Sequence, residues 1–334
     1  MVRVLVTGGA GYVGSTCVAR LLSLGFAVDV VDDLSAGHAD AVPAGAVLHC
    51  FDVGDRCALS DLLSTNQFDL VFHFAAKALI PESVRDPGLF FDVNVASGIA
   101  MLETLRKHRI RKFIFSSTAA VYGNPLAIPI IEDHPKNPVN SYGESKLMFE
   151  QILSWYVSAY DWSVVAFRYF NASGGAREWG ERHNPETHII PLLLQTASGR
   201  RSSFEIYGTD YPTPDGTCLR DYVHVIDIAD AHILAMKKME APGFHVYNIG
   251  TGTSYSVEEV RRIAQEVADR NIPAQSSARR SGDPAVLCAN PTRLKDDLGW
   301  EPTHSDLKDI IRGAWEWEKV QHSEVELKMK AAQR

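Results

Sequence analysis

The first thirty-three residues leave this chain little choice of fold. A short β-branched run, VRVLVT at residues 2–7, breaks at Gly8, and GGAGYVG leads into an apolar-periodic stretch, residues 15–24, that Gly25 closes. A second apolar run, residues 27–31, ends in Asp32 and Asp33. Short continuous apolar runs read as strands of a buried parallel sheet, and a glycine just past a periodic stretch reads as a helix C-terminus. The unit is strand, glycine-rich turn, helix, strand. Gly8, Gly11 and Gly14 carry the T-G-x-x-G-x-x-G spacing. Glycines so spaced allow a tight turn, a close approach of the backbone to a pyrophosphate and close packing of helix on strand. The amides and dipole of the helix N-terminus favour that anion. Asp32, eighteen residues after Gly14, is placed to accept hydrogen bonds from the adenosine ribose. A carboxylate there repels a 2′-phosphate, so NAD is expected rather than NADP.

The same rhythm continues. Residues 47–50 lead to Asp52 and Val53, residues 69–74 to Ala75 and Ala76, and residues 112–117 to Thr118. Each run ends in small or polar residues, where an open α/β sheet places its ligand. A helix is expected between Phe91 and His108, a strand end feeding a helix over 222–238, another strand over 246–249, and amphipathic helices over 256–270 and 302–319. Between 172 and 220 the rhythm breaks. With 334 residues the chain exceeds what one core usually serves. The expected fold is a Rossmann-type, doubly wound parallel α/β sheet with a smaller mixed α/β C-terminal part. Residues 1–171 and about 221–250 form the cofactor unit, and 172–220 with about 251–334 the substrate unit. The charged tail, 320–334, is expected to fray.

A net charge of −8 and a pI near 5.8 argue against a nucleic-acid or anionic-membrane partner, whose footprint is basic. The five cysteines (Cys17, Cys50, Cys57, Cys218, Cys288) are scattered and lack a C-x-x-C pair. That fits a reducing compartment and neither a disulfide framework nor a zinc cluster of cysteines. The apolar run at the start is too short for a signal peptide, and no segment reads as long enough to span a membrane. A cytoplasmic location is expected. His183 and His188, five residues apart, match no metal-ligand spacing on a regular element, so no metal site is expected.

Residues 140–149, NSYGESKLMF, put Tyr142 four residues before Lys146. On a helix the two share a face, about one turn apart. Ser141 and Glu144 read as the helix start, a hydroxyl near the N-cap and a carboxylate three residues on. A free tyrosine, with a pKa of about 10, is a poor base at neutral pH. A nearby ammonium favours the phenolate, which makes the pair a candidate acid/base for an alcohol proton. Alone, the pattern is more often an ordinary exposed helix turn.

Its company changes that reading. T-G-x-x-G-x-x-G, HFAA (73–76), FSST-x-x-VYG (115–123), SYGESK (141–146), RYFN (168–171) and RDYVHV (220–225) follow in this order. With them the chain resembles the extended short-chain dehydrogenase/reductase superfamily, and within it the UDP-glucose 4-epimerases (UDP-galactose 4-epimerases). The likeness covers about residues 1–320. Its most particular stretches are YGTDYPTPDGTCLRDYVHV (207–225) and RRSGDPA (279–285).

The resemblance implies Tyr142 as the base for the sugar 4-hydroxyl. It implies Lys146 as the residue that binds the nicotinamide ribose and depresses the tyrosine pKa. Thr118, where the family usually has serine, is implied as the hydrogen-bond partner of the sugar oxygen. Tyr12, Val13, Asp32, Asp33, Asp52, Val53, Phe74, Asn94 and Phe170 match cofactor-contacting positions, with Gly8, Gly11, Gly14, Ala75, Lys77 and Ser116 grouped with them. Asn171, His188, Tyr207, Arg220, Arg280, Asp283 and Leu287 match positions around a UDP-sugar. Guanidinium suits a diphosphate bidentately. The implied reaction is NAD-dependent 4-epimerisation through a transient 4-keto sugar that turns over while held by its UDP.

Three further positions depart from the family pattern. Ala78 stands where a lysine is frequent, which leaves the part played by Lys77 open. His188 replaces a frequent asparagine. Leu287, at the gate of the sugar pocket, is intermediate between the tyrosine that goes with plain hexoses and the smaller residues that go with N-acetylated ones. The alternatives are a 4-epimerase of UDP-GlcNAc/UDP-GalNAc or UDP-xylose/UDP-arabinose, a sugar-nucleotide dehydratase or decarboxylase, and an NAD-binding sensor. Dehydratases usually carry acids after the threonine matching Thr118, whereas this chain has Ala119 and Ala120. Met148, Phe149, Ile152, Leu153 and Tyr156 read either as core or as the helical seam of a homodimer, which the resemblance implies.

Overall fold

The computed structural model describes residues 2–332 except Arg177 and Ser281, with side chains described as far as Ser323. Strand and helix alternate through the first half of the chain. The order is β1 (Arg3–Thr7), α1 (Tyr12–Ser23), β2 (Ala27–Asp32), β3 (Val47–Cys50), α2 (Arg56–Thr65), β4 (Leu70–His73), α3 (Ile80–Arg85), α4 (Pro87–Phe91), α5 (Gly98–Lys107), β5 (Lys112–Thr118), α6 (Ser141–Tyr160) and β6 (Ser163–Tyr169). Then come β7 (Asn171–Ser173), α7 (Ile189–Ala197), β8 (Phe204–Tyr207), β9 (Leu219–His224), α8 (Val225–Ala235), β10 (Gly243–Ile249), β11 (Ser254–Ser256), α9 (Val257–Ala268), β12 (Ala274–Ser277), β13 (Val286–Leu287), α10 (Thr292–Leu298) and α11 (Leu307–Ala332).

Seven strands make one all-parallel sheet in the order β10-β6-β5-β4-β1-β2-β3. The winding reverses between β1 and β4, and a doubly wound sheet opens its crevice at that point. Successive side chains of each strand enter opposite cores. On β1, Val4 and Val6 pack toward α1, α8 and α10, and Leu5 packs toward α2, α5 and α6. In the smaller assembly β9 pairs with β11, β13 and β7, while β8 pairs with β12. Its core joins Leu193 of α7, Val260 of α9 and Ile310 of α11. The chain also returns to the large sheet late. Leu294, Leu298 and Trp300 belong to its core, although the division drawn from the sequence gives them to the smaller unit.

Several sequence readings change. The N-cap of α6 is Asn140, whose side chain accepts from the Gly143 amide at 2.8 Å. Ser141 is the first helical residue, and its hydroxyl donates to the Ser83 carbonyl, tying α6 to α3. An amide side chain one residue earlier competes successfully with the serine for the free amides. The tail does not end its helix near 319, because α11 runs to Ala332. Residues 87–107 form one 21-residue helical rod through a π-helical turn at Asp92–Ser97, long and apolar enough by composition to cross a membrane. Its Met101, Leu102 and Leu105 fill the core beneath the sheet. Phe149, Leu153 and Tyr156 lie in that same core, so they are not the seam of a dimer.

Two core histidines bear on stability. His73 ends β4 with Nδ1 2.7 Å from the Thr7 hydroxyl, and His232 of α8 lies among Phe72, Phe74 and Phe167. Burial pushes the pKa of His73 down to about 3 and that of His232 down to about 4. The folded values lie below the unfolded value of about 6.5, so this contribution is intact above that pH and is lost as pH falls toward the folded values. From pH 7 to pH 5 each histidine should cost about 2 kcal/mol. Urea unfolding at these two pH values should show a His232→Gln variant losing about 2 kcal/mol less than the parent. Equal losses would contradict a neutral His232.

Candidate active site

A cleft of about 1440 Å³ lies at the carboxyl ends of the parallel strands and runs on to β8 and β9 of the smaller assembly. A pocket for one small ligand is typically about 300–1,000 Å³, so the cleft has room for two. One end is built on the glycine turn. Gly8 has φ +73°, and a Cβ there would meet the Ala75 backbone nitrogen at 2.4 Å. A Cβ on Gly14 would meet the Gly8 carbonyl oxygen at 2.1 Å. Gly11 differs, because its Cβ would meet nothing of the protein nearer than 3.4 Å, yet it lines the cleft. A side chain there would occupy ligand space rather than collide with the fold. Gly11 is also the N-cap of α1 and supplies no side-chain cap, and no acid sits in the first turn. Free amides at such a helix start fit a diphosphate.

The rest of this end is pinned by backbone. Asp32 accepts from the Ala10 and Leu34 amides at 3.0 and 2.9 Å. Burial raises its pKa, and the two amides oppose that. Asp33 accepts from Ser35 at 2.9 Å and Asp52 from Gly54 at 2.6 Å. The Phe74 and Ala75 amides both donate to the Thr7 carbonyl, at 2.8 and 3.1 Å. The Tyr12 hydroxyl donates to the Gly174 carbonyl at 2.6 Å, joining α1 to the start of the smaller assembly. Val13, Val53, Lys77 and Phe170 line the same cleft.

Tyr142 and Lys146 project from the first turns of α6, as the spacing requires, and Ser116 and Thr118 from the end of β5. Tyr142 and Thr118 both line the cleft, and the Thr118 hydroxyl accepts from the Ala120 amide at 3.1 Å. Lys146 Nζ donates to the Ser116 carbonyl at 2.8 Å and sits 4.8 Å from the Phe115 ring centre. The expectation that Lys146 depresses the Tyr142 pKa needs correction for the protein by itself. Burial raises the phenol pKa above its ordinary value, and Thr118 is the group that opposes the rise. Burial also pushes the Lys146 ammonium down to about 7, against the pull of Glu150, so its own charge is weakened.

At the other end Arg220 donates to the Leu219 carbonyl at 2.7 Å and pairs with Asp283. The Arg280 guanidinium stacks 4.0 Å from the Tyr207 ring centre. Asn171, His188, Tyr207, Arg220, Arg280, Asp283 and Leu287 all line the cleft. Asn94 is the exception among the expected site residues, because it does not line the cleft. It is buried, accepts from the Lys77 amide at 2.8 Å, and donates to the Lys77 carbonyl and the Ser145 hydroxyl at 3.0 Å each. It fixes the loop after β4 to α6.

Two groups escaped the sequence reading. Glu150 and Arg168 form a buried ion pair at 2.6 Å behind the Tyr142 helix, and Ser117 donates to the same Glu150 at 2.5 Å. Glu150 stands one helical turn after Lys146, and Arg168 opens the RYFN run, so both signals were present in the sequence. His188 and His183 also meet Glu181 and Glu186 on the loop before α7. The His188 imidazole is opposed by burial, but the two carboxylates outweigh it and raise its pKa.

Residues 4–250 match the model of the NAD dependent epimerase/dehydratase family. The UDP-glucose 4-epimerase of Lacticaseibacillus casei is 46% identical over 317 residues, which cover 94% of this chain and 96% of that protein. A crystal structure of UDP-glucose 4-epimerase from Brucella ovis in complex with NAD superposes with a TM-score of 0.91 at 42% identity, covering 94% of this chain and 98% of that one. The Bifidobacterium longum enzyme in complex with NAD+ and UDP gives 0.91 at 34% identity, covering 95% and 98%. Because the family match takes in the whole large sheet as far as the end of β10, the chain belongs to the NAD dependent epimerase/dehydratase family.

Proposed function

We propose that the protein interconverts UDP-glucose and UDP-galactose by NAD-dependent epimerisation at C4, with residues 172–220 and parts of about 251–334 forming most of the nucleotide-sugar side. NAD held on the glycine turn would take up hydride from the sugar and return it. The observation that carries the reading is that Tyr142 and Thr118 line one cleft together with the glycine turn and the arginines, with Ala119 and Ala120 following on its wall. Alanines cannot protonate or deprotonate a sugar carbon beside a ketone, so a dehydratase or decarboxylase lacks its second acid or base.

The residues then divide the work. Gly8, Gly11 and Gly14 admit the diphosphate of the dinucleotide, and Asp32 and Asp33 accept from its adenosine ribose. Asp52, Val53 and Phe74 border the same groove. Tyr142 takes the 4-hydroxyl proton as the sugar is oxidised to the 4-ketone. It gives the proton back when the opposite face is reduced. Thr118 hydrogen-bonds the sugar oxygen and the phenol together. Lys146 holds the nicotinamide ribose and supplies positive charge near the phenol. Arg220 and Arg280 grip the UDP diphosphate, so the sugar can turn over without leaving. Asn171, Tyr207 and Asp283 shape that grip, and Leu287 narrows the sugar pocket against N-acetylated hexoses.

The family likeness and the scattered, unpaired cysteines support a cytoplasmic enzyme. A homodimer through the outer face of α6 is part of the same proposal. Trp155 on that face is 73% exposed, and covering it with a second copy would take its apolar surface out of water. Sedimentation of the parent protein at micromolar concentration should give a dimer, and a Trp155→Glu variant should shift toward monomer. A monomeric parent would refute this interface.

Purified protein incubated with UDP-galactose, without added NAD, should give UDP-glucose by proton NMR until the two reach equilibrium. A Tyr142→Phe variant should turn over at least about 10²-fold more slowly. No conversion after NAD is supplied would refute the function. Near-normal turnover of the variant would remove Tyr142 from the mechanism.

A further inference from the structure

Four side chains spread over eight residues of loop come together at one edge of the cleft. Glu181, His183, Glu186 and His188 each turn a ligand atom inward, and these atoms all lie within 4.8 Å of one another. His188 Nδ1 is 2.6 Å from Glu181 Oε1 and 2.9 Å from Glu186 Oε1, and His183 Nδ1 is 2.8 Å from Glu181. The two imidazoles stand 5.0 Å apart between ring centres.

With neutral imidazoles this group carries two negative charges. Both carboxylate side chains are only 7% exposed. Two carboxylates this close and this dry repel each other unless compensated. A divalent cation offsets both, and two imidazoles with two carboxylates form a ligand set that zinc accepts. Ligand atoms around tetrahedral zinc lie about 3.3 Å apart, given metal–ligand bonds of about 2.0–2.1 Å. The pairs now at 2.6–2.9 Å therefore need to part by about half an ångström.

The loop is held in this shape from outside. Glu186 Oε1 accepts from the Thr187 and His188 amides at 2.7 and 2.8 Å, which aims its carboxylate. Trp317 Nε1 donates to the Glu181 carbonyl at 3.0 Å. Arg182 pairs with Asp40 at 2.7 Å. Supporting bonds of this kind orient ligands before an ion arrives. We propose that Glu181, His183, Glu186 and His188 form a binding site for one divalent cation of the zinc class. The ion would fasten the segment that leads into α7. The site stands independently of which nucleotide sugar the cleft takes.

The test uses untagged full-length protein, stripped with chelator and titrated with ZnCl2 by calorimetry. One equivalent of Zn2+ per chain is expected. His183→Ala and Glu186→Gln variants, checked for folding by circular dichroism, should each bind it at least about 100-fold more weakly. No bound Zn2+ in the parent, or variants that bind as the parent does, would overturn the proposal. Cobalt titration of the parent gives a reading that needs no variant. Visible bands of tetrahedral Co2+ are expected, and their absence would equally overturn it.

Discussion

The buried pair between Glu150 and Arg168 sets where the reactive groups stand. Glu150 lies on α6 and Arg168 on β6, and their side chains are 4% and 3% exposed. Glu150 also accepts from Ser117 of β5, and Arg168 donates to the Tyr122 hydroxyl and the Glu132 carbonyl at 2.8 Å each. The ion pair thus joins the helix that carries Tyr142 and Lys146 to β6, and the Ser117 bond to Glu150 joins the same helix to β5, the strand that carries Thr118. Strand alternation does the rest. With Ser117 turned back to the pair, Ser116 and Thr118 face the cleft. Removing one member of a buried pair strands the other charge, at a cost of about 3–5 kcal/mol. The same loss would let α6 and β5 shift against each other.

The site is built at the expense of easy proton chemistry in the protein alone. Burial raises the Tyr142 pKa and pushes Lys146 down to about 7. A phenol in that state holds its proton. Positive charge has to stand beside it for it to become a base, and the nicotinamide ring of a bound NAD+ would supply that charge. The diphosphate end is arranged differently. Arg220 is kept in place by Asp283, and Arg280 lies flat on Tyr207. Both arginines line the cleft, as do Leu287, Ala119 and Ala120.

Much of the fold was legible because it rests on local signals. The glycine turn, the apolar strand runs and the Tyr142–Lys146 spacing each carry their own period, and all appear where that period puts them. What stayed hidden depends on partners far along the chain. Asn94 reads as a cleft residue by likeness, yet it clamps Lys77 and Ser145. Trp300 joins the large core because its indole N–H reaches the Asp227 carbonyl at 2.8 Å, seventy-three residues away. The Glu181–His188 cluster obeys no helix or strand period, since a loop assembles it. Asn140 outranks Ser141 as a cap for a reason that only the backbone angle shows, its ψ of 160° against the helix behind it.

The central claim is that the chemistry is a transient oxidation at C4, with Tyr142 moving only the hydroxyl proton. UDP-galactose carrying deuterium at C4, incubated with the enzyme in ordinary water and followed by NMR, tests this most directly. The account predicts that deuterium remains at C4 in the UDP-glucose formed, because hydrogen leaves that carbon as hydride and returns from the same carrier. Loss of the label to solvent in step with conversion would contradict it, since that requires the C4 hydrogen to depart as a proton.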